Sequence, residues 1–96
     1  MKINQQVFDC LVRLLYDKRR KIRINACKSL SDTDSKPSTF EPRLMNSIKF
    51  LIDVVEHDLD GFARSQAEWS LNIIREWIKE LASNPSKIDI KLSEKN

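Results

Sequence analysis

Apolar residues recur at helical spacing in four stretches of this chain, and only residues 87–92, KIDIKL, alternate in the manner of an extended segment. Ile3, Val7, Cys10, Leu11 and Leu14 follow the i, i+3, i+4, i+7 rule, with Val12 and Leu15 widening the stripe, and predict a helix over about residues 3–16. A second stretch, about 20–31, carries Ile22, Ala26, Cys27 and Leu30. Residues 32–42 gather Ser, Thr, Asp and two prolines and read as a loop that ends with Pro42 at a helix start. Leu44, Ile48, Leu51, Ile52 and Val55 form one face of a third helix over 43–56, and a fourth runs from about Asp60 to Ala82 before Asn84-Pro85. The expected fold is all-α: a hairpin over 1–31, a second over 43–82, and an irregular C-terminal tail over 83–96.

An offset of 41 residues superposes the first helix pair on the second. Val7 falls on Ile48, Cys10 on Leu51, Leu11 on Ile52 and Leu14 on Val55, while Asp17/Asp58, Arg23/Arg64, Ala26/Ala67, Ser29/Ser70 and Leu30/Leu71 are identities. Two helices repeating at about 40–47 residues is the spacing of HEAT and armadillo arrays. The repeated Asp is expected at the inter-helix turn, capping the next helix, and the repeated Arg is expected to pair with an acidic or carbonyl group of the neighbouring hairpin, Asp17 and Asp58 first. Such arrays normally need about three or more repeats, so the two hairpins read as part of a longer one.

At about 100° per residue, the fourth helix carries two stripes. Ala63, Ala67, Ser70, Leu71, Ile74, Ile78 and Leu81 form one, and Phe62, Trp69, Ile73 and Trp77 form another beside it. One partner hairpin would not bury both. The second stripe is therefore a candidate interaction surface, to be covered by the tail, by a neighbouring helical repeat, or by a protein partner, a second copy of the chain included. The alternative places both tryptophans in the core.

Residues 17–30, DKRRKIRINACKSL, and 58–71, DLDGFARSQAEWSL, carry a resemblance. The Asp58-Leu59-Asp60-Gly61 turn with Arg64 and Ala67, after Ile22-Arg23-Ile24-Asn25-Ala26-Cys27, resembles the C-terminal helical region of aminopeptidase N-like zinc aminopeptidases of the archaeal tricorn-interacting-factor type. The resemblance implies a non-catalytic part of a larger enzyme that shapes access to its active-site chamber. The family's H-E-x-x-H zinc site has no counterpart here, since His57 is the only histidine, so zinc would belong to a parent enzyme alone. The chain by itself implies no cofactor and no metal site.

Composition narrows the chemistry further. A single glycine excludes glycine-rich phosphate loops, and a single histidine leaves little for acid/base work. Seventeen Lys and Arg against fourteen Asp and Glu give a net charge of +3, concentrated in a candidate basic patch of Arg13, Lys18, Arg19, Arg20 and Lys21. No aromatic residue interleaves with that run, as single-strand binders require, and a solvated inter-helix turn accounts for it better than duplex nucleic-acid binding does. His57 suits the C-terminal end of the third helix, and Glu56, Asp58 and Asp60 lack the spacing of a calcium loop. Cys10 and Cys27 lack C-x-x-C spacing and read as reduced core thiols, with a disulfide between them left open. No leader pattern and no membrane-length apolar run is present, which suggests a cytoplasmic location. The reading favoured is a non-catalytic helical-repeat domain with a structural or chamber-lining role. The alternative is a free-standing protein-binding module.

Overall fold

The computed structural model describes residues 3–83, which form four α-helices and one short 3₁₀ turn, with no strand among them. The helices are α1 (Gln5–Leu14), α2 (Arg20–Leu30), α3 (Arg43–His57) and α4 (Gly61–Ser83). The order gives two helical hairpins, α1–α2 and α3–α4, joined by a loop that holds the 3₁₀ turn at Thr33–Ser35. α4 continues one residue past the predicted limit, so Ser83 belongs to the helix rather than the tail. The KIDIKL segment lies outside the described residues.

Side chains punctuate these helices individually. Asn4 Oδ1 accepts the Val7 N–H at 2.8 Å and opens α1 as an N-cap. The two repeated aspartates act one step earlier than expected. Asp17 Oδ1 accepts the Arg19 N–H at 2.8 Å and Asp58 Oδ1 accepts the Asp60 N–H at 2.9 Å, so each closes an Asx turn before its helix instead of capping it. The cap of α4 is Asp60, whose Oδ2 accepts the Ala63 N–H at 2.8 Å. In α2 the corresponding residue is Arg19, which makes no side-chain cap. Its guanidinium turns back to the Asp17 carboxylate instead, at 2.9 and 3.1 Å.

The loop between hairpins is tied to the body. Arg43, mostly buried, donates from Nε to Glu41 Oε1 and from Nη2 to the Ser35 carbonyl, both at 2.8 Å. Ser35 Oγ donates to the Ser29 carbonyl at 3.1 Å, and Lys36 pairs with Glu80 of α4. Those bonds satisfy backbone carbonyls that a loop over the core would otherwise strand.

The core joins Phe8, Leu11 and Leu15 of the first hairpin with Leu44, Leu51 and Val54 of α3 and Leu71, Ile74 and Trp77 of α4. Ala26 and Ala67, repeat equivalents, are both buried where the second helices lie against their neighbours. The expectation for the cysteines holds only for Cys27. It is fully buried, whereas Cys10 is exposed, and both thiols are free.

The 41-residue register also shows which faces meet. Phe8, Leu15 and Cys27 are buried, and their equivalents Lys49, Glu56 and Glu68 are exposed. Conversely Ser47, Leu51 and Val54 are buried, and their equivalents Gln6, Cys10 and Arg13 are exposed. The first set belongs to the side of hairpin one that faces hairpin two, as the contacts of Tyr16 with Asp53 and of Cys27 with Ser70 demonstrate. The two hairpins thus close an apolar interface between them and leave Gln6, Cys10 and Arg13 on one outer face and Lys49, Glu56 and Glu68 on the other.

Candidate interaction surface

Between the hairpins runs a polar ladder built from the repeated residues. The Arg23 guanidinium grips the Asp58 carboxylate bidentately, Nε to Oδ2 at 2.7 Å and Nη2 to Oδ1 at 3.1 Å, with the Asp58 side chain 6% exposed. Its Nη1 donates to the carbonyls of Asp17 and Lys18 at 2.9 and 3.0 Å. Arg64 repeats the carbonyl half of this arrangement, Nη1 to the Asp58 carbonyl at 2.7 Å. Burial by itself would raise the Asp58 carboxyl; the Arg23 bonds and the Asp60 N–H outweigh it and hold it below the usual range. Farther along, Ser70 Oγ donates to the Cys27 carbonyl at 2.9 Å and accepts from Ser31 Oγ at 2.8 Å. Burial pushes the Cys27 thiol up to about 12.

The cleft beside this ladder holds Tyr16, Asp53 and His57. Tyr16 donates to Asp53 Oδ2 at 2.6 Å and His57 Nδ1 to Asp53 Oδ1 at 2.9 Å. Burial, followed by the Asp53 bond, raises the Tyr16 phenol, and the same bond is the main cause of the lowered Asp53 carboxyl. A histidine oriented by a carboxylate is half of a nucleophilic site. The lining carries no Ser, Thr or Cys to complete it. Among the described residues, no group of three or more His, Cys, Asp or Glu could hold a metal ion.

The basic patch does not form one surface. Arg13 stands on the polar end face of hairpin one, Lys18 borders the Tyr16 cleft, and Arg19 is engaged by Asp17, whose carboxyl it draws down to about 2. Arg20 and Lys21 open α2. That helix contains Arg20, Lys21, Arg23 and Lys28 and no carboxylate. Arg23 is neutralised by Asp58, and Arg20 reaches Asp60 at 3.4 Å while its guanidinium carbon stands 5.4 Å from the Phe62 ring centroid. Lys21 and Lys28 are exposed, with no ion-pair partner among the described residues.

The aromatic stripe also divides. Phe62 is 71% exposed and Trp69 66%, Ile73 is partly buried against the core, and Trp77 is only 7% exposed. Trp77 therefore leaves the candidate surface and joins the core with Ile74 and Leu81. What remains is a groove between α2 and α4 lined by Ile24, Lys28, Phe62, Ser65, Gln66 and Trp69. The basic run itself holds no aromatic, yet packing sets two aromatics beside it. The signal was in the repeat register, which places Lys21 on Phe62 and Lys28 on Trp69.

No family model, curated protein or solved structure matches the chain. Among the described residues, no helix is long and apolar enough to cross a membrane.

Proposed function

We propose that the chain is a non-catalytic helical-repeat unit that binds a protein partner through the α2/α4 face. The observation that carries this reading is the exposure of Phe62 and Trp69 together beside lysines of α2 that have no ion-pair partner among the described residues, on a molecule whose other large apolar residues mostly close its own core. Large aromatics flanked by cations are the side chains that anchor protein interfaces. Were the chain the helical region of a larger enzyme, as the resemblance implies, the same face would be turned toward the remainder of that protein.

A photo-crosslinking amino acid tests this directly. Installed at position 69 in cells that make the protein, it should yield a discrete protein adduct, whereas the same group at position 49 on the polar end face should not. Equal labelling at both positions, or a nucleic-acid adduct at 69, would sink the reading.

A further inference from the structure

We propose that the α2/α4 groove receives an amphipathic helix carrying an acidic stripe beside an apolar one, the acidic stripe on α2 and the apolar stripe on α4. The inference rests on the protein-binding reading above and specifies its partner by chemistry. Arg20 meets Asp60 and Phe62 near the start of α4, and Lys28 shares a groove with Gln66 and Trp69 farther on, so the two second helices run in parallel. Along each of them the decisive residues stand seven apart: Lys21 and Lys28 on α2, Phe62 and Trp69 on α4. Seven residues is about two turns, or about 10 Å, which keeps each pair on one face. Lys28 and Ile24 of α2 line the groove with Phe62 and Trp69 of α4, and Lys21 extends the cationic side about two turns before Lys28 on the same face of α2.

A helix laid along such a groove meets both sides at its own two-turn repeat, its i, i+7 carboxylates reaching the lysines and its neighbouring apolar stripe covering the rings. Charge complementarity selects this occupant over others. Residues 84–96 carry three lysines, one Asp and one Glu, a net +1, which does not match a cationic side. A nucleic acid would meet few unpaired cations and would lie against the exposed Glu68 beside Trp69. Tyr16, Phe40, Met45 and Leu59 are also exposed, but among the described residues no two of them stand seven apart on one helix as Phe62 and Trp69 do.

The test uses the full chain and the fluorescence of Trp69, which stands in water while Trp77 supplies a buried, constant background. The probes are two synthetic two-heptad helices, one with a Leu stripe beside a Glu stripe and one with Lys replacing Glu, and a single-stranded oligonucleotide of the same net charge as the acidic peptide. The acidic peptide should bind saturably with a blue shift, at least about tenfold more tightly than the Lys version, with the preference shrinking as salt rises. Trp69→Ala should weaken it about tenfold or more, read by peptide anisotropy. The double change Lys21→Glu with Lys28→Glu should reverse the preference; both sites are exposed, and circular dichroism checks that each variant is folded. Equal binding of the two peptides overturns the proposal, as does an oligonucleotide that outcompetes the acidic helix. A blue shift that grows with protein concentration alone would assign the groove to a second copy, and a Trp69 emission already blue at every dilution would assign it to residues 84–96. Neither peptide binding while position 69 still crosslinks to a protein would discard the partner chemistry and leave the protein-binding reading standing.

Discussion

Of the two repeated aspartates, Asp58 is the more deeply buried, its side chain 6% exposed against 19% for Asp17. Its side chain takes both Arg23 nitrogens and the Asp60 N–H, and its carbonyl takes Arg64. Removing one partner of such a buried pair strands the other charge, so Asp58→Ala should cost about 3 kcal/mol of stability in urea unfolding. Arg64→Ala, which removes one exposed carbonyl contact, should cost under about 1 kcal/mol. Equal losses would mean that the bidentate pairing adds nothing. The repeat register made these residues visible, because identical residues recur 41 positions apart. It did not disclose their geometry: a carboxylate two residues before a helix closes an Asx turn as readily as it caps, and only position 60 reaches the α4 amides. The thiols illustrate the same limit. Cys10 and Cys27 share an apolar context in sequence, yet Cys10 falls on the polar end face, so an aromatic disulfide reagent at pH 8 should modify Cys10 rapidly and Cys27 only as the chain unfolds.

Helix α4 shows what periodicity resolves and what it blurs. Its length and its core stripe were legible because Ala63, Ala67, Ile74 and Leu81 recur with little interruption. The second stripe was misjudged for a geometric reason. Phe62 and Trp69, seven apart, differ by only about 20° around the helix, but each step of four adds about 40°, so Trp77 has turned about 80° from Trp69 and points inward. A stripe read by fours drifts into the core. The start of α4 depends on Asp60, whose carboxylate meets an orphan amide and the positive end of the helix. Asp60→Ala should lower stability by about 1 kcal/mol, and Asp60→Asn, an equally good cap, by much less. Thermal melts followed at 222 nm measure both. A full loss in the Asn variant would shift the credit from the cap to the exposed Arg20–Asp60 pair.

For the whole molecule, the titrating groups set a window of stability. Asp17, Asp53 and Asp58 all have folded carboxyls below the ordinary 3.8, Asp17 at about 2, so their contribution is complete above 3.8 and is lost as acid protonates them. Tyr16 and Cys27 are displaced upward, so the folded state holds their protons longer than the unfolded chain does. Stability from these two is complete below their ordinary values of 10.0 and 9.0 and declines as pH rises past them. The urea midpoint should therefore be level from about pH 5 to 8 and fall on both sides, with the alkaline fall reduced in Tyr16→Phe. An alkaline limb that is the same in that variant would remove the Tyr16–Asp53 bond from the account.

The two ends of the stack decide whether this unit extends itself. In hairpin one, Phe8, Leu15 and Cys27 bury themselves against a neighbour; in hairpin two the same register holds Lys49, Glu56 and Glu68, which keep their charges in water. Bringing another hairpin onto that face would desolvate all three, and each charge so buried without a partner costs several kcal/mol. A further hairpin stacked in this register would have to pair those charges, and the exposed aromatics lie along the second helices instead of on that face. The full chain should accordingly be monomeric by light scattering. The double change Lys49→Phe with Glu56→Leu, which copies residues of hairpin one onto the end of hairpin two, should drive self-association, while Lys21→Phe, which adds similar apolar area in the α2/α4 groove, should not produce end-to-end stacking. A natural chain that already associates, and that Lys49→Glu converts to monomer, would show the end face to be an interface and not a cap.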